Sequence, residues 1–146
     1  MAEPVKHSVS VAGVVLNEAR QVLIIQRKDN RHWEPPGGVL EIDESPQSGV
    51  RREVKEETGL DVEVDTLTGV YKNVEKGVVA LVFRCFASTS SVETATSETI
   101  NAQWVDRETV DKLLDEAYAV RVHDAFEATV AVRTHDGVVL SGDVDS

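Results

Sequence analysis

Sulfur, aromatic side chains and positive charge are all scarce in this chain, and each scarcity closes off a class of protein. A single cysteine, Cys85, excludes an internal disulfide. Its setting, Ala80-Leu-Val-Phe-Arg-Cys-Phe86, makes it a half-buried strand thiol rather than a nucleophile. Lys and Arg number 15 against 26 Asp and Glu, a net charge of −11. Such a surface does not attract nucleic-acid polymers or anionic membranes, which call for basic patches. No apolar run is long enough to span a bilayer, and the amino-terminal Met1-Ala-Glu-Pro-Val-Lys lacks a signal-peptide pattern, so a cytoplasmic location is the expectation. The histidines, His7, His32, His123 and His135, have no metal-ligand spacing and receive no role. Aromatic residues make up only 5% of the chain, yet the hydrophobic fraction of 41% over 146 residues suits one domain with a single core. That domain is expected to span 1–146, with 141–146 as a mobile acidic tail and no internal repeat or linker.

What is present is a regular alternation of strand-like and helix-like segments. Residues 7–16 are rich in Val and pair through the turn at 17–20 with a second strand at 21–27. A polar stretch at 29–32 leads into Trp33-Glu-Pro-Pro-Gly-Gly38, a rigid turn. Ser45 is a good N-cap, Pro46 suits the first helical position and Gly59 suits a left-handed C-terminal residue, which predicts a helix from Pro46 to Thr58. Val62 and Val64 open a strand that Val70 to Asn73 extends, the Glu75-Lys-Gly77 turn follows, and 78–88 is a further strand. A Ser- and Thr-rich loop covers 88–97, and 100–105 returns to the sheet. Asp106 is expected to cap a second helix running to Ala119 with Val110, Leu113 and Leu114 buried, and a further helical piece covers 122–127. Asp136-Gly137 between apolar runs predicts a small hairpin over 129–140. The sum is a mixed sheet with helices on its faces.

The densest chemistry lies on the 46–58 helix. Glu53, Glu56 and Glu57 stand at i, i+3 and i+4, which places their carboxylates on one face. Like charges so spaced destabilise an isolated helix, so a cation between them makes sense of the pattern. Hard oxygen donors without His or Cys favour Mg²⁺, with Mn²⁺ as a substitute, over zinc. Arg52 is placed to bond a carboxylate in fork geometry. Acidic surface helices are common, but the bare helix does not account for the Pro-Pro-Gly-Gly turn that precedes it.

The full spacing is G-x5-E-x7-R-E-U-x-E-E-x-G-U, U being aliphatic, filled by Gly38, Glu44, Arg52, Glu53, Val54, Glu56, Glu57, Gly59 and Leu60. It resembles the Nudix box, the signature of the Nudix hydrolases. The resemblance implies an α/β/α sandwich with a mixed β-sheet, a box loop and helix and a late helix. It also implies Mg²⁺-dependent hydrolysis of a nucleoside diphosphate linked to a further group, a small-molecule nucleotide substrate. Position in the motif makes Glu53, Glu56 and Glu57 metal ligands, with the Gly38 carbonyl as an additional donor. Arg52 would orient one of them, and Glu44 would support the loop or pair with Arg52.

In this family the general base is either a box glutamate or one on a later loop. Glu53 and Glu56 therefore stand as catalytic candidates beside Glu98, which precedes Trp104 as the late acidic residue of many relatives does, although a solvated loop glutamate is the alternative. Many relatives also carry a Glu three residues before that Trp, where this chain has Asn101. Arg27 is a candidate for binding substrate phosphate, against the plainer reading of an exposed strand-end Arg. Trp33 and Tyr71 are read as packing residues. Relatives specific for ADP-ribose often carry a proline downstream of the box, and those for dinucleoside polyphosphates a tyrosine. Here the segment is Glu75-Lys76-Gly77. The expectation leans toward a MutT-like nucleoside triphosphate pyrophosphohydrolase giving nucleoside monophosphate and pyrophosphate. An ADP-ribose or nucleotide-sugar pyrophosphatase and a non-catalytic nucleotide-sensing module stay open. The carboxy-terminal hairpin and the exposed strand edges suit a homodimer contact.

Overall fold

The computed structural model describes residues 4–92 and 96–142. Alternation along the first two strands divides the core. In β1 (Ser8–Leu16), Val11 and Val15 face one side while Ala12, Val14 and Leu16 face the other. In β2 (Val22–Arg27), Leu23 and Ile25 share the first side, and Val22 and Ile24 the second. All are buried, as the period of two requires for strands covered on both faces.

Two short strands that read as turn in the sequence, β3 (Trp33–Glu34) and β4 (Gly37–Val39), follow. Next comes α1 (Pro46–Thr58), with the expected bounds and caps. Ser45 Oγ accepts from the Ser48 N–H at 3.2 Å, and Gly59, at φ 76°, donates its N–H to the Lys55 carbonyl at 2.9 Å. The chain continues through β5 (Val62–Asn73), β6 (Val78–Ala87) and β7 (Thr99–Val105).

The strands form one mixed eight-stranded sheet in the order β3-β2-β1-β6-β5-β8, with β4 on β1 and β7 on β2. β1 runs parallel to β6 and antiparallel to β2 and β4. Val50 and Val54 of α1, with Leu60 just past its end, close one face, packing with Val11, Val15, Phe83 and Cys85. The other face is closed by Val110, Leu114, Ala119 and Val122 over Val14, Ile24, Tyr71 and Val82. The fold is thus the α/β/α arrangement expected, and Tyr71 is core. No helix among the described residues is long and apolar enough to cross a membrane.

Two local expectations are corrected. The helix expected from Asp106 to Ala119 is two, α2 (Arg107–Leu113) and α3 (Glu116–Asp124). Leu114 turns extended (φ −103°, ψ 145°) to bury its side chain, and Asp115 restarts the helix from an extended backbone, so Leu113 is left 37% exposed. The 129–140 hairpin is reduced to β8 (Ala131–His135), whose ladder is with β5, in parallel; its own return arm is a single bridge, His135 to Leu140. Pairing with the long β5 edge satisfies more backbone groups than a two-stranded ribbon would. Parts of the expected Ser/Thr loop (93–95) and acidic tail (143–146) lie outside the described residues.

Candidate active site

The box loop is drawn onto the sheet by β4, where Ser10, Val11 and Ala12 of β1 stand opposite Val39, Gly38 and Gly37. This puts the Gly38 backbone against the Glu53 carboxylate of α1. A Cβ at Gly38 would lie 2.6 Å from the carboxyl carbon of Glu53, so a side chain there would push that carboxylate aside. The Gly37 N–H donates to Glu57 Oε1 at 2.7 Å, pinning a second carboxylate that is only 2% exposed.

Across the cleft, Glu98 arrives on the approach to β7. A carboxylate oxygen from each of Glu53, Glu57 and Glu98 lies within 4.8 Å of the others. Such crowding resists ionisation. Burial first, and then the neighbouring carboxylates, push Glu57 up to about 8 and raise Glu53 as well. A hard divalent cation among the three oxygens would remove both penalties at once, and an all-oxygen donor set suits Mg²⁺ or Mn²⁺ better than zinc. The donor set fits such an ion.

Arg52 braces this arrangement. Its Nε and Nη2 donate to the two oxygens of Glu44 at 3.0 and 2.6 Å, and its Nη1 donates to Glu53 at 2.8 Å. The guanidinium hydrogen bond, with help from the Glu41 backbone, lowers Glu44 to about 2. Glu56 points outward: its side chain is 49% exposed, stands 3.4 Å from Arg52 and is not among the three clustered carboxylates, though it lines the same cleft. Arg27 also lines the cleft, but Asp29 at 2.8 Å and Glu34 at 3.2 Å already occupy its guanidinium.

The NUDIX domain model matches residues 6–126. The chain belongs to the Nudix family. It is therefore a hydrolase of diphosphate bonds. A "MutT-like protein" of Streptomyces ambofaciens is 55% identical over 92% of this chain and 87% of its own length. An "ADP-ribose pyrophosphatase" of Methanocaldococcus jannaschii is 36% identical over 52% of this chain and 48% of its own length. Among solved structures, the MutT protein of Methanosarcina mazei superposes with a TM-score of 0.70 at 29% identity, covering 80% of this chain and 91% of that one.

Two features of the Nudix cleft escaped sequence reasoning. Glu34, on β3, is half-buried beside Arg27, and desolvation raises its carboxyl against the pull of that guanidinium. Arg121 sits on α3, buried, and borders the cleft with Tyr118 and His135. One signal existed for it. Arg121 follows Ala117 by four residues on the buried stripe of its helix, a position where a charge is out of pattern.

Proposed function

We propose that this Nudix chain hydrolyses, with Mg²⁺, a diphosphate linkage in a nucleoside diphosphate derivative, and that it acts as a nucleoside triphosphate pyrophosphohydrolase giving nucleoside monophosphate and pyrophosphate. The Glu53, Glu57 and Glu98 cluster at the cleft carries this reading. The 55% identical relative is called a MutT-like protein, and this supports the triphosphate reading.

Glu53, Glu57 and Glu98 would hold the ion, with the Gly38 carbonyl beside Glu53 and Glu56 as a fourth carboxylate on the rim. When bound, a divalent ion neutralises charge on the phosphoryl oxygens and acidifies an adjoining water. Arg52 keeps Glu53 in one orientation, since its planar fork is fixed at its other edge by Glu44. The Gly37 N–H holds the Glu57 carboxylate, which contributes an oxygen to the cluster. Glu98 is the exposed member, placed to take a proton from the attacking water and release it to solvent. Arg27, already neutralised by two carboxylates, closes the side of the cleft and offers its remaining N–H groups to substrate phosphate.

The relative named ADP-ribose pyrophosphatase supports a second reading, cleavage of ADP-ribose or a nucleotide sugar. Product analysis separates the two. Monophosphate with pyrophosphate from triphosphates bears out the first, and monophosphate with a sugar phosphate bears out the second.

A further inference from the structure

We propose that Arg121, His135 and Asn73 form an anion subsite on the border of the cleft, which takes a phosphate or carboxylate on the part of the substrate remote from the cleaved diphosphate. The inference rests on the diphosphate-hydrolase reading for the word substrate, and none of its three residues belongs to the carboxylate cluster.

The hydrogen bonds set two donors against each other. The backbone N–H of Gly137 donates to His135 Nδ1 at 2.9 Å, so in a neutral ring the proton sits on Nε2. That Nε2 lies 3.2 Å from Arg121 Nη2. A guanidinium has donors only, so the two nitrogens present hydrogens to one another with no oxygen between them. Protonating the ring only adds a second positive charge. Asn73 adds a third donor: its Oδ1 accepts from the N–H groups of Glu75 and Lys76 at 3.0 and 3.1 Å, which turns its amide nitrogen the other way. All three residues border the cleft, each at most 7% exposed.

Charge leads to the same conclusion. Arg121 is 7% exposed, its Nε has no hydrogen-bond partner, and no carboxylate stands within 4.0 Å of its guanidinium among the described residues. Glu34, the acid whose field reaches it, is held by Arg27. The guanidinium is seated instead over the rings of Tyr118 at 4.6 Å and Tyr71 at 5.0 Å. Those aromatic contacts fix its plane without supplying a counter-charge. An anionic oxygen bound beside that pair would accept from Arg121 and His135 and compensate a buried cation, with Asn73 as a further donor on the wall of the same cleft.

The test uses the whole protein in EDTA, so that no divalent ion is present and no bond is broken. Inorganic phosphate and glucuronate are titrated separately while the side-chain NMR signals of Arg121 Nε–H and His135 and the thermal midpoint are followed. Saturable movement of both signals with a rise in midpoint is expected, and whichever probe causes it names the group. Arg121→Gln and His135→Asn should each raise the apparent Kd by about tenfold or more. Without anion, Arg121→Met should keep or raise the midpoint, because it removes an uncompensated charge. The proposal is overturned if neither probe moves the wild-type signals, if Arg121→Gln binds them as well as wild type does, or if Arg121→Met melts well below it. Should a variant not fold, the wild-type titration still decides. Absence of turnover on every diphosphate would refute the proposed reaction and leave this binding result untouched.

Discussion

Glu57 offers a quantitative consequence of crowding three carboxylates around one point. In protein freed of divalent ions its folded-state pKa of about 8 exceeds the ordinary 4.5. The native state then binds the proton more tightly than the unfolded state does. Stability from this group is fully present below pH 4.5, declines between 4.5 and about 8, and is lost above that. At ~1.4 kcal/mol per pH unit, the whole window amounts to about 3–5 kcal/mol. Glu57→Gln keeps an acceptor for the Gly37 N–H but cannot ionise. Urea unfolding in EDTA at a series of pH values should show the two proteins alike at pH 4. By pH 8.5 the variant should be more stable by that amount. Adding Mg²⁺ at pH 8.5 should stabilise the wild type far more than the variant, because a ligand that binds only the folded state raises its stability. Parallel pH profiles in EDTA would refute the claim that burial, with the neighbouring carboxylates, holds the Glu57 carboxyl in its neutral form.

Other perturbations probe the cleft and the core. Gly38→Ala should lower divalent-ion affinity by about tenfold or more, measured by calorimetry, because the new Cβ displaces the Glu53 carboxylate. Circular dichroism should be unchanged. Glu98→Gln should lower Mg²⁺-dependent turnover by about a hundredfold or more, and Glu56→Gln by less, because only Glu98 stands in the carboxylate cluster; the reverse order in steady-state kinetics would move the site along the helix. Tyr71→Phe should cost about 1–2 kcal/mol in urea unfolding, since the hydroxyl donates to the buried Asp124 at 2.7 Å while Arg133 keeps that carboxylate paired.

The fold was most legible where local rules and tertiary packing agree. Ser45, Pro46 and Gly59 are sufficient to bound α1, and Val-rich alternation finds β1 and β2. It was least legible where burial of one side chain overrides a continuous pattern, as at Leu114, which leaves the helix to reach the core. β8 was misread for a related reason: whether a strand pairs with its neighbour in sequence or with a distant edge is decided by the sheet already built. In the cleft, helical spacing puts Glu53, Glu56 and Glu57 on one side. It does not say which of them the loop will cover. The Gly37 and Gly38 backbone selects Glu53 and Glu57, and the fold brings in Glu98 from a distant segment. Arg121 and His135 were invisible as a pair because 14 residues and a strand separate them, and the tautomer that opposes their donors depends on the Gly137 N–H.

The proposed reaction rests on Mg²⁺-dependent cleavage of a phosphoanhydride, and product identification across nucleoside triphosphates, ADP-ribose and nucleotide sugars tests it most directly. Mg²⁺-dependent release of nucleoside monophosphate with pyrophosphate is expected from at least one triphosphate, lost on adding EDTA and in Glu57→Gln. No Mg²⁺-dependent product from any member of that panel would contradict the account.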